Sequence, residues 1–354
     1  MNPINGKTQL IGLIGWPVAH SFSPAMHNAA AQALGLNWAY VPLPVRPEAV
    51  ATAVPALHAL GFRGVNVTVP HKQAVMPLLD EIEPGARLIG AVNTIVVGEN
   101  GRLSGHNTDW SGFLADLQAH DITVANRDCL LLGAGGSARA VAYGLARSGA
   151  RVHLLARRME QAEAVLADLR NQLPAAQLTC HALSDLRQVA AQRPAPLIIN
   201  CTPLGMTPHE ASSPWPDSLP IPADATVYDL VYNPPHTRLM QQAEAAGCHA
   251  RNGLGMLVHQ GAQAFALWTG QQPDTAVMTT ASPAVQHLRG FVKRDDSRFT
   301  FYAAIVSPAR LGKSSSARQP CAGAIGRGWR KPHLAPGPGL CCNGRLAFWP
   351  SPGQ

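Results

Sequence analysis

Residues 129–158 constrain the fold more than any other stretch. They read Cys129-Leu130-Leu131-Leu132, then Gly133-Ala134-Gly135-Gly136-Ser137-Ala138-Arg139-Ala140, an alanine-rich run to Gly149, and Arg151-Val152-His153-Leu154-Leu155-Ala156-Arg157-Arg158. A short apolar run of this kind reads as a buried parallel strand. A helix follows and stops near Gly149, because glycine is the usual residue just past a helix end. A second strand completes a βαβ unit. Gly133, Gly135 and Ala138 stand in G-x-G-x-x-A spacing. The first permits a tight turn, the second offers no side chain to obstruct a pyrophosphate, and the third lets helix and strand pack closely. Free amides at the helix N-terminus then face the phosphates. Glycine-rich turns also occur without any ligand, but the strand before and the helix after are the context that nucleotide binding requires.

The end of the second strand selects the nucleotide. NAD-binding units place Asp or Glu about 20 residues beyond the first glycine, on the ribose 2′-hydroxyl. This chain has Ala156 there, followed by Arg157 and Arg158. A carboxylate would repel a 2′-phosphate, whereas a guanidinium binds it through charge-assisted hydrogen bonds. The expectation is therefore NADP, set against two solvated arginines at a strand end.

At 354 residues the chain is long enough for two domains. No apolar run approaches the ~20 residues of a membrane span. The N-terminus lacks a charged region followed by a hydrophobic stretch, so no signal peptide is expected. Seven scattered cysteines without C-x-x-C spacing fit a reduced cytoplasmic protein with no zinc site and no disulfide framework. The net charge of +7 resides at one end: residues 291–354 hold ten Lys/Arg against two Asp/Glu, and residues 1–290 hold eighteen against nineteen. A nearly neutral body removes the argument for nucleic acid. The tail 291–354, rich in Pro, Gly, Ser and Arg and without periodicity, is expected to be mostly disordered. It has the character of read-through or a shifted frame, or else of a basic arm for an acidic partner.

Along the chain, Gln9–Gly15 reads as a first strand. Ser23 suits an N-cap and Pro24 the first helical position of a helix ending at Gly35. Ser21 has no comparable capping role. Two hydroxyls at i and i+2 of an extended loop can bind a polyhydroxylated ligand, and spacing leaves both readings of the pair open. A helix is expected over 46–60. Val65, Val67 and Val69 alternate with Asn66 and Thr68 as a half-buried strand. Lys72 follows the strand end, where α/β proteins place ligands, although most lysines are surface residues. A strand is expected over 90–97; Asn93 within it must find partners if buried. Asp109 opens a helix, where an acid also suits the dipole. Further strands are expected at 197–200 and 226–232. A long helix is expected from Gly253 to about Trp268, with Gln260 on it.

Taken together, His20-Ser21-Phe22-Ser23-Pro24, Asn66-Val67-Thr68-Val69-Pro70-His71-Lys72, Gly90-Ala91-Val92-Asn93-Thr94 and Asn107-Thr108-Asp109 resemble the shikimate dehydrogenase family. The glycine loop, Asn200-Cys201-Thr202-Pro203-Leu204-Gly205-Met206, and Gly253-Leu254-Gly255-Met256-Leu257-Val258 with Gln260 belong to the same resemblance, which spans about residues 8–288. It implies an α/β fold of two domains with the active site in the cleft between them. The first is an N-terminal substrate domain, 1–110, with a mixed sheet, completed by the C-terminal helix at 255–288. The second is a Rossmann-like NADP domain over 111–254. It implies reversible NADPH-dependent reduction of 3-dehydroshikimate to shikimate, on the way to chorismate and the aromatic amino acids.

By motif, Lys72 and Asp109 become the catalytic pair, and Ser21, Ser23, Thr68, Asn93, Tyr232 and Gln260 the substrate contacts. Gly133, Ala134, Gly135, Gly136, Ser137, Ala138, Ala156, Arg157, Arg158, Thr202, Met206 and Gly253 become the cofactor contacts. No metal is implied; the partners are the small-molecule substrate and, at most, a second copy of the chain as a homodimer. Trp110 stands where the family often has glycine, and Phe22 where lysine or leucine is common; both are expected to shape the pocket mouth. His71 is given no role. A quinate/shikimate dehydrogenase with dual NAD/NADP use and a non-catalytic NADP-binding regulator are the competing readings. Serine at both 21 and 23, the missing acid after the second strand, and intact Lys72 and Asp109 argue against them.

Overall fold

A computed structural model describes residues 4–283, so the basic tail and the last residues of the 255–288 segment lie outside the described part. Two six-stranded sheets organise it. The first contains β1 (Gln9–Gly15), β2 (Trp38–Pro44), β3 (Phe62–Val67), β4 (Glu81–Ile82), β5 (Thr94–Val97) and β6 (Leu103–His106) in the order β2-β1-β3-β5-β6-β4. Strands β1, β2 and β3 are parallel, and β5 runs antiparallel to both β3 and β6. The second contains β7 (Asp128–Leu132), β8 (Arg151–Ala156), β9 (Gln177–Ala182), β10 (Leu197–Asn200), β11 (Thr226–Asp229) and β12 (His249–Asn252). All are parallel, in the order β12-β11-β10-β7-β8-β9. Renumbered within the sheet this is the 3-2-1-4-5-6 doubly wound order, whose switch point lies between β7 and β10.

The helices are α1 (Ser23–Ala33), α2 (Val50–Ala56), α3 (Pro84–Ile89), α4 (Asp109–Ala119), α5 (Gly136–Arg147), α6 (Met159–Gln172), α7 (Leu186–Ala191), α8 (Arg238–Ala245), α9 (Leu254–Thr269) and α10 (Thr275–Ala281). The apolar strands of the second sheet serve two cores, since successive side chains point to opposite faces. Cys129, Leu131, Val152, Leu154 and Ile199 pack against residues of α5 and α6. Leu130, Leu132, Leu155 and Ile198 pack against residues of α7 and α8. Coverage of both faces explains their unbroken hydrophobicity. In the first sheet Val65 and Val67 share a core with Ile14, Val54 and Ile95, while Asn66 points the other way, toward Tyr40. Among the described residues no helix is long and apolar enough to cross a membrane.

Several boundaries differ from expectation. The helix over 46–60 is reduced to a 3₁₀ turn at Pro47–Ala49 and the short α2, which contains Pro55 and with it a missing ladder amide. The stretch before Asn93 is α3, with the Glu83 side chain accepting from the Gly85 and Ala86 amides and Gly90 closing it at φ 68°. The strand begins only at Thr94. Strand β11 ends at Asp229, because the Val231 amide donates to the Asp229 side chain at 3.0 Å.

Helix α4 leads out of the first sheet and α9 returns from the second, and the two pack tightly together. A Cβ on Gly112 would lie 2.6 Å from the Gln260 amide nitrogen, and one on Gly255 would overlap the carboxylate of Asp116. Asp116 is itself buried and accepts a 2.5 Å hydrogen bond from the Tyr228 hydroxyl on β11. Gly255→Ala is therefore expected to destabilise the protein by about 2 kcal/mol or more. Thermal unfolding of the variant checks this, with an unchanged midpoint counting against the packing account.

Candidate active site

Sheet pairing assembles the site. The Val92 amide donates to the Lys72 carbonyl at 2.8 Å and the Asn93 amide to the His106 carbonyl at 3.0 Å. Lys72, Asn93 and the start of α4 therefore meet at one end of the first sheet. Lys72 Nζ lies 2.6 Å from Asp109 Oδ2, with both side chains largely shielded from solvent. Asn93 Nδ2 donates to Asp109 Oδ1 at 2.8 Å, to Thr108 Oγ1 at 2.9 Å and to Gln260 Oε1 at 3.2 Å, while its Oδ1 accepts from the Thr108 amide at 2.8 Å. Asn107 Oδ1 accepts from the Asp109 amide at 3.0 Å, and Asn107 Nδ2 holds the Ala91 carbonyl at 2.9 Å. Asp109 is thus fixed from its side chain and its backbone.

The serines exchange the roles expected of them. Ser23 is the first residue of α1 and makes no side-chain cap. Ser21 Oγ instead accepts from the Ser23 amide at 3.2 Å, so Ser21 does support the helix start. The loop is not extended, since Phe22 is helical at φ −84°. Burial raises the phenol pKa values of Tyr232 and Tyr40, opposed by hydrogen bonding with Ser21 and Ser23 respectively. Each serine hydroxyl therefore stands beside a tyrosine hydroxyl. Tyr40 also donates to Asn66 Oδ1 at 2.8 Å. Thr68 follows β3, its amide bonded to the Ile14 carbonyl at 2.9 Å. His71 is buried against the Val45 carbonyl at 2.7 Å, a structural placement.

Phe22 and Trp110 are both held in packing next to site residues. Phe22 is buried in a cluster with Met26, Leu254 and Val258, its ring 5.0 Å from that of Tyr232. Trp110 packs edge-on against Tyr143 of α5 at 5.3 Å, under Arg147. Both are absorbed by packing.

Opposite this cluster lies the glycine turn. Gly133 has φ 106°, and a Cβ there would come within 2.9 Å of the Thr202 methyl group. The turns after β7 and β10 thus touch at the switch point, with Thr202 in contact and Met206 exposed beyond it. A Cβ at Gly135 would meet only open space, and Gly135 precedes the first turn of α5. An open glycine before free helix amides fits a diphosphate. Ala134 lies within the same turn, and Ala138 is fully buried under it. Ala156 ends β8, and the exposed Arg157 and Arg158 follow at the same edge. Gly253 has a packing reason of its own, since a Cβ would overlap the Leu230 backbone. The two halves meet at Lys72: Nζ is 3.4 Å from Ser137 Oγ, and its stem lies against Gly136.

Sequence reasoning left Asn66, Thr94, Asn107, Thr108, Asn200 and Asp229 out of the site. All but Asp229 stand within the motif stretches quoted above, and Asp229 shows only as a polar residue in an apolar run. Among the described residues no group of His, Cys, Asp and Glu could hold a metal ion.

A doubly wound sheet with an open glycine turn at its switch point, faced by a shielded lysine–carboxylate pair, defines a dinucleotide-dependent α/β enzyme. The substrate binding domain of shikimate dehydrogenase matches residues 13–95, and the shikimate 5′-dehydrogenase C-terminal domain matches residues 253–281. A Symbiobacterium thermophilum protein named shikimate dehydrogenase (NADP(+)) is 46% identical over 282 residues, covering 79% of this chain and 95% of the relative. A shikimate dehydrogenase solved with NADP+ superposes with a TM-score of 0.73 at 41% identity, covering 79% of this chain and 96% of the other. The Thermus thermophilus enzyme, solved with NADP(H) and shikimate, gives a TM-score of 0.68 at 39% identity, over 77% and 98%. The chain belongs to the shikimate dehydrogenase family.

Asn93→Ala would leave the Thr108 amide and the Asp109 carboxylate short of partners, at a cost of about 2 kcal/mol. The expected outcome is a lower melting temperature and a steep loss of turnover with NADP+ affinity retained. Unfolding curves and NADP+ titration check it.

Proposed function

We propose that this chain catalyses the reversible NADPH-dependent reduction of 3-dehydroshikimate to shikimate, a step toward chorismate and the aromatic amino acids. The observation that carries the reading is the 2.6 Å Lys72–Asp109 pair facing the glycine turn. Residues 1–110, completed by the returning segment 255–288, form the substrate domain, and residues 111–254 the NADP domain. Separate sheets over 9–106 and 128–252 support that division. Cytoplasmic residence belongs to the same proposal, supported by the free state of the four described cysteines, as does action as a monomer or homodimer.

The amides of the glycine turn, Gly133 to Ala138, hold the diphosphate, and Arg157 and Arg158 take the 2′-phosphate beside Ala156. Thr202, Met206 and Gly253 border the nicotinamide end. The bound cofactor supplies a hydride to the ring carbonyl carbon. Ser21, Ser23, Thr68, Asn93, Tyr232 and Gln260 fix the carboxylate and ring hydroxyls of the substrate through directional hydrogen bonds. The Lys72 ammonium lies against the carbonyl oxygen, stabilises the negative charge that develops there and donates the proton. Asp109, anchored by Asn93 and by the Asn107 contact to its amide, keeps Lys72 aimed and relays to the resulting amine a proton taken up from solvent. In the oxidative direction Lys72 as the neutral amine takes the hydroxyl proton, and Asp109 passes it on to solvent.

The test is NADPH formation, followed at its absorbance band, from shikimate and NADP+, with quinate and NAD+ in parallel. Formation from shikimate and NADP+ alone is expected; no turnover with any pair would overturn the reading. Lys72→Ala is expected to lower kcat roughly a hundred- to ten-thousand-fold, with NADP+ still bound. Replacing Arg157 and Arg158 together by Ala is expected to raise KM for NADP+ roughly tenfold or more, with little change for NAD+. Equal losses for both cofactors would remove the 2′-phosphate assignment.

A further inference from the structure

The carboxyl ends of β10 and β11 carry a buried polar cluster that the mechanism does not use. Asn200 and Asp229 stand opposite each other in register, and both are fully buried. Asp229 Oδ1 accepts from Asn200 Nδ2 at 2.8 Å and from the Val231 amide at 3.0 Å, and Oδ2 accepts from Thr237 Oγ1 at 2.7 Å. All three donors are neutral. Burial pushes the carboxyl up to about 6, and these hydrogen bonds oppose that rise. A buried carboxylate among neutral donors is costly compared with a well-packed apolar residue, so stability alone does not account for it.

The three arms lead to different places. Asn200 Nδ2 also donates to the Leu204 carbonyl at 3.1 Å, while Asn200 Oδ1 accepts from the Thr202 amide at 2.8 Å and from Thr202 Oγ1 at 2.7 Å. That arm shapes the turn after β10, whose Thr202 closes on Gly133. The Val231 arm sets the residue before Tyr232, whose ring lies 5.0 Å from that of Phe22 in the first half of the molecule. The Thr237 arm caps α8 through the Met240 amide, while the Thr237 methyl group stands against Gly205 of the same turn.

We propose that Asp229 is a positioning residue that locks the Thr202–Met206 turn, through Asn200, and the Tyr232 turn, through the Val231 amide, into one unit that aligns the nicotinamide end of the cofactor with the substrate. The proposal rests on the roles assigned above to that turn and to Tyr232. A carboxylate suits the task because it is acceptor-only and can take several donors arriving from different directions. An amide at 229 would turn a donor toward Thr237 or toward Asn200 and Val231, and one arm would be lost or rearranged.

The test compares Asp229→Asn, Asn200→Ala and Thr237→Val in the full chain. Dissociation constants are measured for NADP+ and for 2′,5′-ADP, which carries the 2′-phosphate but no nicotinamide. Asp229→Asn and Asn200→Ala are expected to weaken NADP+ roughly tenfold and to leave 2′,5′-ADP binding unchanged, with kcat falling more than KM for shikimate rises. Thr237→Val removes the hydroxyl but keeps the methyl group that stands against Gly205, so it is expected to lower the melting temperature but to preserve kcat and both affinities, which a merely structural cluster would not do selectively. An unchanged ratio of NADP+ to 2′,5′-ADP affinity in both loop-side variants overturns the proposal. If Asp229→Asn fails to fold, Asn200→Ala carries the comparison. A wild-type protein that binds both ligands but does not turn over shikimate refutes the activity reading, while the affinity ratio still decides this one.

Discussion

The carboxamide of Asn93 is the joint on which the site depends. It sits at the start of β5, yet its partners come from the entry to α4 and from the middle of α9, at positions 108, 109 and 260. A buried group must satisfy its hydrogen-bonding capacity or incur a desolvation cost. The amide accepts from the Thr108 backbone with one end and donates to the Asp109 carboxylate with the other; a carboxylate at 93 would face Asp109 with like charge. The same group therefore closes a gap in the core and holds Asp109 to one orientation. Lys72 inherits that orientation through its 2.6 Å contact.

Gln260 can reach Asn93 only because α9 crosses α4 at close range, and that approach is set by residues with no side chain. Gly112 admits the Gln260 backbone, Gly255 admits the Asp116 carboxylate, and Gly253 lies against Leu230. These glycines are needed for closeness rather than for unusual backbone angles. Through them a helix that begins at the end of the second sheet delivers a polar side chain to the first. The crossing is thus part of the site's geometry as well as of the fold.

The glycine turn, Leu197–Asn200 and the long α9 were legible in the sequence because their determinants are local: spacing, apolar runs and end signals. The short strands β4, β6, β9 and β12 were not, since their pairing comes from neighbours distant in the chain. The serines show the limit of local reasoning. A shift of one residue in the helix start transfers the supporting hydrogen bond from Ser23 to Ser21. The packing partners of Phe22 and Trp110 were not legible, because an aromatic residue beside a site motif carries no mark of which way it points. Asn200 and Asp229 escaped notice for a further reason: their meeting needs the parallel register of β10 with β11, which only the sheet order supplies. The site motifs themselves were legible as a set, through resemblance, where each polar residue alone was ambiguous.

Three consecutive residues of the glycine turn answer to different demands. Gly135 is open to solvent, with nothing for a side chain to meet. Gly136 is not open: a Cβ there would lie 3.4 Å from Lys72 Cδ, so the small residue keeps the lysine stem close. Ser137 then offers its hydroxyl to the Lys72 ammonium at 3.4 Å. The turn that suits a phosphate on one side thus seats the proposed proton donor on the other.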